Sequence, residues 1–504
     1  MPKCREAVMT SIDRDSPVPI YHQLKLLIQE QIESGVWRPG DRIPTEQELC
    51  RAYDISRSPV RQALSELAHE GVLIRRPGLG TFVSGDGADS SVTGEPLKMM
   101  SSDPYWSPVL ERVSQSWNEG HPEQPISFQM EVVSHRRFYN LLTTAVGNGT
   151  APDVAMVDVV WVAGLASSGF LYPLEELDSR WNHTAFREDL YSVFVAANSL
   201  DGRLYGLPVK ADASLLWYRK EWFAREGMSP PQDWESLLAA CDHFSQPAVR
   251  ERYGHSHPLA FPGGPAGGEA TVYNLMPLIW SLGGRIFHPE TGAVVLDGPE
   301  TRRAMAFLRD LVTEHRAAPP EVVTYRWDAA PRLLAEGKAA MALGGSYESD
   351  VIRDAGGWGR EEFHAQVGCV APPALPGGRA VSTVGGISYV VLRQCRRPRL
   401  VMEVLQAAVA PEVVGDLYRA MLQNLPRTSF ESLLDPESDP LLTRAARMIA
   451  AGRARPAVPE YVKISRQLQA MFEAVIADDA PVEEIVARTA DFIGAISERP
   501  CDHQ

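Results

Sequence analysis

Arg57 and Arg61 stand four residues apart in "SRSPVRQALSEL", and Arg75 and Arg76 follow closely in "LIRRPGLG". On a helix, positions four apart share a face. A guanidinium fork can grip a phosphate, or the O6/N7 edge of guanine, through two parallel hydrogen bonds. That chemistry is recognition of a polyanion rather than bond making. Bulk attraction does not supply it: the chain carries a formal charge of −15, and residues 11–84 hold nine Lys/Arg against ten Asp/Glu, a net of −1. Placement of individual side chains must do the work. Isolated surface arginines are usually only a solvated face, so the elements that carry these four decide their meaning.

Those elements are legible. "PIYHQLKLLIQEQIESGVW" puts Ile20, Leu24, Leu27, Ile28 and Ile32 on one helical face. "PTEQELCRAY" opens with a capping box, Thr45 and Glu48. A third helix starts with Ser56 or Ser58 as its cap, turns Val60, Ala63, Leu64 and Leu67 inward and stops at Gly71. Either cap leaves Pro59 in the first turn. "VLIRR" and "TFVS", separated by "PGLG", predict a β-hairpin. Three helices and a hairpin make a winged helix-turn-helix, whose third helix enters the DNA major groove while its wing approaches the sugar-phosphate.

Residues 17–84 closely resemble the DNA-binding domain of GntR-family transcriptional regulators, through "PIYHQL", "GVWRPGDRIPTEQEL", "SRSPVRQALSELAHEGVL" and "RRPGLGTFV". The resemblance implies double-stranded operator DNA as partner. It assigns DNA contacts to Ser56, Arg57, Ser58 and Arg61 on the third helix and to Gly78 at the wing. Gln47 stands where the family often has arginine; it can still bond phosphate or adenine, but it brings no positive charge.

"GDGADSSVTGEP", residues 85–96, is small, polar and without periodicity, and predicts a linker; a short tail at 1–16 precedes the DNA-binding domain. The remaining 400 or so residues carry ten of the eleven tryptophans and alternate helical and strand-like segments. No apolar run reaches the length of a membrane span. The opening "MPKCREAVMTSIDRDSP" lacks a signal-peptide core, and the six scattered cysteines form no C-x-x-C pair or metal spacing. These features predict a cytoplasmic protein with reduced thiols, no metal and no membrane contact.

Residues 97–496 resemble the family 1 extracellular solute-binding proteins of sugar importers, ahead of a short tail at 497–504. The likeness runs through "APDVAMVDVVWVAGLASSGFLYPLEEL", "DGRLYGLPVKADASLLWYRKEWFAREG", "PQDWESLLAAC", "LIWSLGGRIF", "LDGPETRRAMAFLRDLV", "LLAEGKAAMALGGSYESDV" and "STVGGISYVV". It implies two α/β lobes, a periplasmic-binding-protein-like fold with a ligand cleft between them. A pyranose offers an apolar face for stacking and hydroxyls for carboxylates. By this resemblance the cleft draws on Asp158, Trp161, Asp212, Tyr218, Trp280, Tyr347 and the Gly385–Gly386 turn, with Trp106 near the first strand as a further candidate. Tyr347 stands where the family commonly has Trp. Plainer roles compete: Trp217, Trp222 and Trp234 are expected in the core, Trp161 and Trp280 suit core and cleft equally, and Asp158 ends a strand where a carboxylate often caps the next helix.

The whole chain is thus expected to be a ligand-responsive, homodimeric transcriptional regulator without cofactor, sensing a mono- or oligosaccharide. Two alternatives compete. An aminotransferase-like enzyme using pyridoxal phosphate needs a Schiff-base lysine, and Lys338 in "AEGKAAM" is the nearest candidate. A transport component needs export, which the opening residues do not support.

Overall fold

The computed structural model describes residues 12, 20–38, 41–53, 55–69, 72–76, 80–83, 95–178, 185–375 and 378–502. The wing tip with Gly78, the helix stop at Gly71 and most of the expected linker lie outside them. The chain forms two compact units, one of Met1–Glu95 with Glu123–Ser127 and one of Pro96–Pro122 with Phe128–Gln504. No helix among the described residues is long and apolar enough to cross a membrane.

The first unit holds α1 (Ile20–Glu33), α2 (Glu46–Tyr53), α3 (Arg57–His69) and the antiparallel pair β1 (Leu73–Arg76) and β2 (Gly80–Val83). The capping box forms at α2: the Thr45 amide donates to Glu48 Oε2 at 2.8 Å and the Glu48 amide to Thr45 Oγ1 at 3.3 Å. Because α3 begins at Arg57, Ser56 takes the cap position and Pro59 is the third helical residue. One core closes the unit. Leu24 and Ile28 of α1, Leu49 of α2, Val60, Ala63, Leu64 and Leu67 of α3, and Leu73 and Val83 of the hairpin are all buried in it. Burying the apolar stripe of α3 leaves the opposite stripe, with Arg57 and Arg61, to solvent.

The second unit is built on one mixed sheet. Its strands are β3 (Leu97–Ser101), β4 (Phe128–Val132), β5 (Val154–Asp158), β6 (Gly206–Arg219), β7 (His257–Ala260), β8 (Ala339–Gly345), β9 (Val367–Val370), β10 (Thr383–Val391) and β11 (Arg453–Ala454). The path runs β4-β3-β5-β10-β6-β8-β7, with β9 beside β6 and β11 beside β10. The 14-residue β6 organises it. Its first half, Gly206–Ala213, pairs with β10, which continues to β5; its second half, Ser214–Arg219, pairs with β8 and β9. One strand therefore belongs to both lobes, and the passage between them falls at Ala211–Ser214.

Each lobe has its own core. Phe138, Leu142, Val157, Leu165 and Phe194 fill the first. Trp222, Phe244, Leu275, Leu308 and Phe472 fill the second. Among the second lobe's helices, α4 (Glu269–Ser281) is buried from Ala270 to Ser281, as expected of a helix apolar on every face. It is followed by α5 (Pro299–Thr313), α6 (Pro440–Ala451), α7 (Tyr461–Ala477) and α8 (Val482–Ser497). Beyond α8 the chain runs back along Val294, whose amide donates to the Pro500 carbonyl at 2.9 Å.

Candidate ligand cleft and nucleic-acid interface

On the first unit, Ser56, Arg57 and Arg61 are exposed at the start of α3. Gln47 lies in α2 and Ser58 in α3. Arg57 and Arg61 occupy successive turns of one face, the arrangement a groove-reading helix needs. Arg61 already has a partner: its Nε donates to Glu46 Oε2 at 2.9 Å, with 65% of the Arg61 side chain exposed. That carboxylate raises the guanidinium's pKa further. The pairing was not legible in the sequence, since Glu46 and Arg61 lie 15 positions apart on different helices.

On the second unit, Asp212 stands where β6 passes between lobes, paired in register with Gly385 of β10. Glycine leaves room there for both groups: a Cβ on Gly385 would lie 2.7 Å from Asp212 Oδ1 and 2.7 Å from the Tyr273 ring. Tyr273, on α4, donates its hydroxyl to Asp212 Oδ1 at 2.5 Å. The Arg455 guanidinium lies over the Tyr273 ring, 5.2 Å from its centroid. Arg455 follows β11 and is buried, its side chain only 2% exposed. It is held by Glu269 of α4 at 2.5 Å and faces Asp158, at the end of β5, at 3.8 Å. Glu269 also accepts from the hydroxyls of Tyr461 (2.6 Å) and Ser465 (2.5 Å) on α7. Strands and helices of both lobes thus converge on one polar cluster beside the crossover.

Electrostatics inside the cluster are uneven. Burial pushes Asp212 up to about 6, against the opposing pull of the Tyr273 hydroxyl and Arg455. Burial would raise Asp158 as well, but Arg455 and His135 outweigh it and hold its carboxyl below the usual range. The Asp212 shift has a testable sign. A carboxyl whose folded pKa lies above its unfolded value of about 3.9 stabilises the fold fully below that value. The contribution is lost as pH rises through about 6. Asp212→Asn should therefore flatten the decline between pH ~4 and ~6 by roughly 2 kcal/mol while keeping an acceptor for Tyr273. Urea midpoints of both proteins across that range check it; parallel profiles would contradict it.

The other residues expected in the cleft are distributed unevenly. Trp161 lies on the Asp158 side, its ring 4.8 Å from that of His135, which itself approaches Asp158 at 3.8 Å. Asp158 also caps the turn carrying Trp161, accepting from the Val160 amide at 3.2 Å. Tyr347 packs edge-on to Tyr273 at 5.7 Å and near Trp327, which is 40% exposed. Trp280 sits two turns beyond Tyr273 on α4, under the Arg453 guanidinium at 5.0 Å. Gly386 adjoins Gly385 against Lys210. Tyr218 is six residues along β6 from Asp212, roughly 20 Å away, and packs on Phe223. Trp106 is fully buried in the first lobe, donating to the Tyr389 hydroxyl at 2.6 Å. Neither joins the cluster. Glu269, Tyr273, His135 and Arg455 do, and sequence reasoning did not select them.

Comparison with known proteins fits this geometry. The family model for bacterial extracellular solute-binding proteins matches residues 101–414. The chain belongs to that family. A second model, for bacterial regulatory proteins of the gntR family, matches residues 20–83, so this solute-binding family member carries a gntR-type winged helix-turn-helix at its N-terminal side. The histidine utilization repressor of Klebsiella aerogenes is 51% identical over 71 residues, 14% of this chain and 30% of that one. A putative binding protein of Brucella abortus is 25% identical over 288 residues; the match spans 57% of this chain and 64% of the relative. Among solved structures, the solute-binding protein of a Thermotoga lettingae ABC transporter bound to α-D-tagatose superposes with a TM-score of 0.70. It is 21% identical, and the match covers 80% of this chain and 100% of that one. The solute-binding fold accounts for the strand β6 that both lobes share.

Proposed function

We propose that this solute-binding family member is a ligand-responsive transcriptional regulator. Its first unit binds operator DNA, and its second unit takes a carbohydrate between the lobes. The observation that carries the reading is the buried Asp212–Tyr273–Arg455 cluster at the lobe crossover, in a chain that also presents Arg57 and Arg61 on α3. Carboxylates beside aromatic rings suit sugar hydroxyls and the apolar face of a pyranose. Nearby, Trp327 and Tyr347 supply further ring surface. The tagatose bound to the Thermotoga lettingae relative supports the ligand class.

Sugar binding between the lobes shifts the population toward a closed form. In a cytoplasmic homodimer that shift alters the spacing or orientation of two DNA-reading units on paired half-sites. Coupling of about 1–3 kcal/mol changes operator affinity some 5- to 150-fold. On the DNA side, Arg61 exchanges Glu46 for a phosphate or a guanine edge.

Two measurements test this. Arg57→Ala and Arg61→Ala are each expected to weaken operator binding by about 1–3 kcal/mol, read by fluorescence anisotropy, with the thermal transition of the second unit unchanged. Unaltered binding in both variants removes α3 as the reading helix. A thermal-shift panel of mono- and oligosaccharides, with amino acids and polyamines as controls, tests the ligand class. A ligand at about 100 times its Kd adds roughly 2.7 kcal/mol. A shift with a control compound alone removes the sugar.

A further inference from the structure

Away from the Asp212 cluster, a cavity of about 250 Å³ opens beside α6. Arg444, Arg447 and Met448 of α6 form one wall, and Ala371, Ala380 and Ser382 form the other. The alanines leave the space unfilled, and the charge lining it is of one sign. Arg444 Nη1 donates to the Cys369 carbonyl at 2.8 Å, which fixes the side chain without neutralising it. Next to the cavity, the Arg453 amide donates to the Ser382 carbonyl at 2.9 Å. The Arg453 guanidinium is held in a half-buried place where burial and Arg285 both disfavour its charge.

Some arginines of this acidic chain find carboxylates, as Arg427 does with Asp189 at 2.7 Å and Arg455 with Glu269 at 2.5 Å, while others, such as Arg309, are held by backbone carbonyls alone. Arg453 does not line the cavity, its guanidinium lying over the Trp280 ring. Of the described residues that do, Arg444 and Arg447 are the two cations, and neither pairs with a carboxylate among the described residues. What sets Arg444 and Arg447 apart is their place: two guanidiniums on one wall of an open space, with no carboxylate lining it, leave a positive surface that an anion from outside can meet.

We infer that this cavity is a second ligand site, for a small oxyanion such as a phosphomonoester or a carboxylate. Its volume lies below the ~300–1,000 Å³ of sites for drug-sized ligands, which suits a single small metabolite. Two guanidiniums one helical turn apart can share its oxygens, each through a planar fork. Ser382 adds a hydroxyl to the opposite wall. Because the site does not include the Asp212 cluster, it stands or falls independently of sugar binding there.

The test is thermal melting of the full chain titrated separately with inorganic phosphate, glycerol 3-phosphate and succinate. Sodium chloride at matched ionic strength and glycerol are the references. A saturable rise in Tm beyond the chloride reference is expected, and the phosphate and succinate arms identify which oxyanion is preferred. Arg447→Gln should leave the Tm without anion unchanged, since Arg447 is exposed, and should weaken the half-saturation point at least tenfold. No rise beyond chloride with any of the three anions overturns the site. So does an identical titration in Arg447→Gln.

Discussion

Arg455→Met is expected to lower the stability of the solute-binding domain by about 3–5 kcal/mol, the cost of removing one partner from a buried ion pair. Among the described residues, Arg455 is the one cation that pairs with both Glu269 and Asp158, at 2.5 and 3.8 Å. Its side chain is 2% exposed, so solvent cannot take its place. Methionine matches the stem in shape but strands Glu269, which would keep only the hydroxyls of Tyr461 and Ser465. It also removes the charge above the Tyr273 ring. Urea denaturation followed by tryptophan fluorescence reads the loss. Adding Glu269→Gln to Arg455→Met should recover part of it, because the stranded charge is removed while an acceptor for Tyr461 and Ser465 remains. A loss under about 1 kcal/mol would place Arg455 among solvent-screened pairs and contradict its burial.

Local chemistry made much of the first unit legible. The Thr45–Glu48 box is encoded three residues apart, and the inward residues of α3 follow one periodicity. The candidate cleft was legible only in part, for a physical reason. Its central contacts join residues far apart in sequence: Tyr273 reaches Asp212 across 61 positions, and Arg455 reaches Glu269 across 186. No local spacing announces such a pairing. Tyr218 shows the converse. It alternates onto the same strand face as Asp212, yet the rise of an extended strand carries it roughly 20 Å away. Trp106 shows why an aromatic type alone says little: its indole N–H is satisfied by Tyr389 inside the core.

Adjacent glycines at the crossover separate ligand binding from folding. Gly386→Ala is expected to cost more than about 4 kcal/mol, in the range reserved for severe, identifiable clashes. The new Cβ would stand 2.0 Å from the Lys210 carbonyl oxygen, and that oxygen belongs to the backbone of β6. Relief therefore requires β6 and β10 to part at the strand shared by both lobes. Close packing offers no cheap alternative. Gly385→Ala meets side chains instead, Asp212 Oδ1 and the Tyr273 ring at 2.7 Å, with Arg455 Nη2 at 3.1 Å. Those groups can rotate, so its cost to stability should stay near 1–3 kcal/mol. The displacement falls on the very groups proposed to meet the sugar. Circular dichroism melts should show Gly386→Ala losing the second unit's transition. Gly385→Ala should keep that transition and lose the sugar-dependent Tm shift. Equal melting of the two variants would mean that the strands at Ala211–Gly386 can separate freely. The crossover would then be too loose to couple closure of the cleft to DNA.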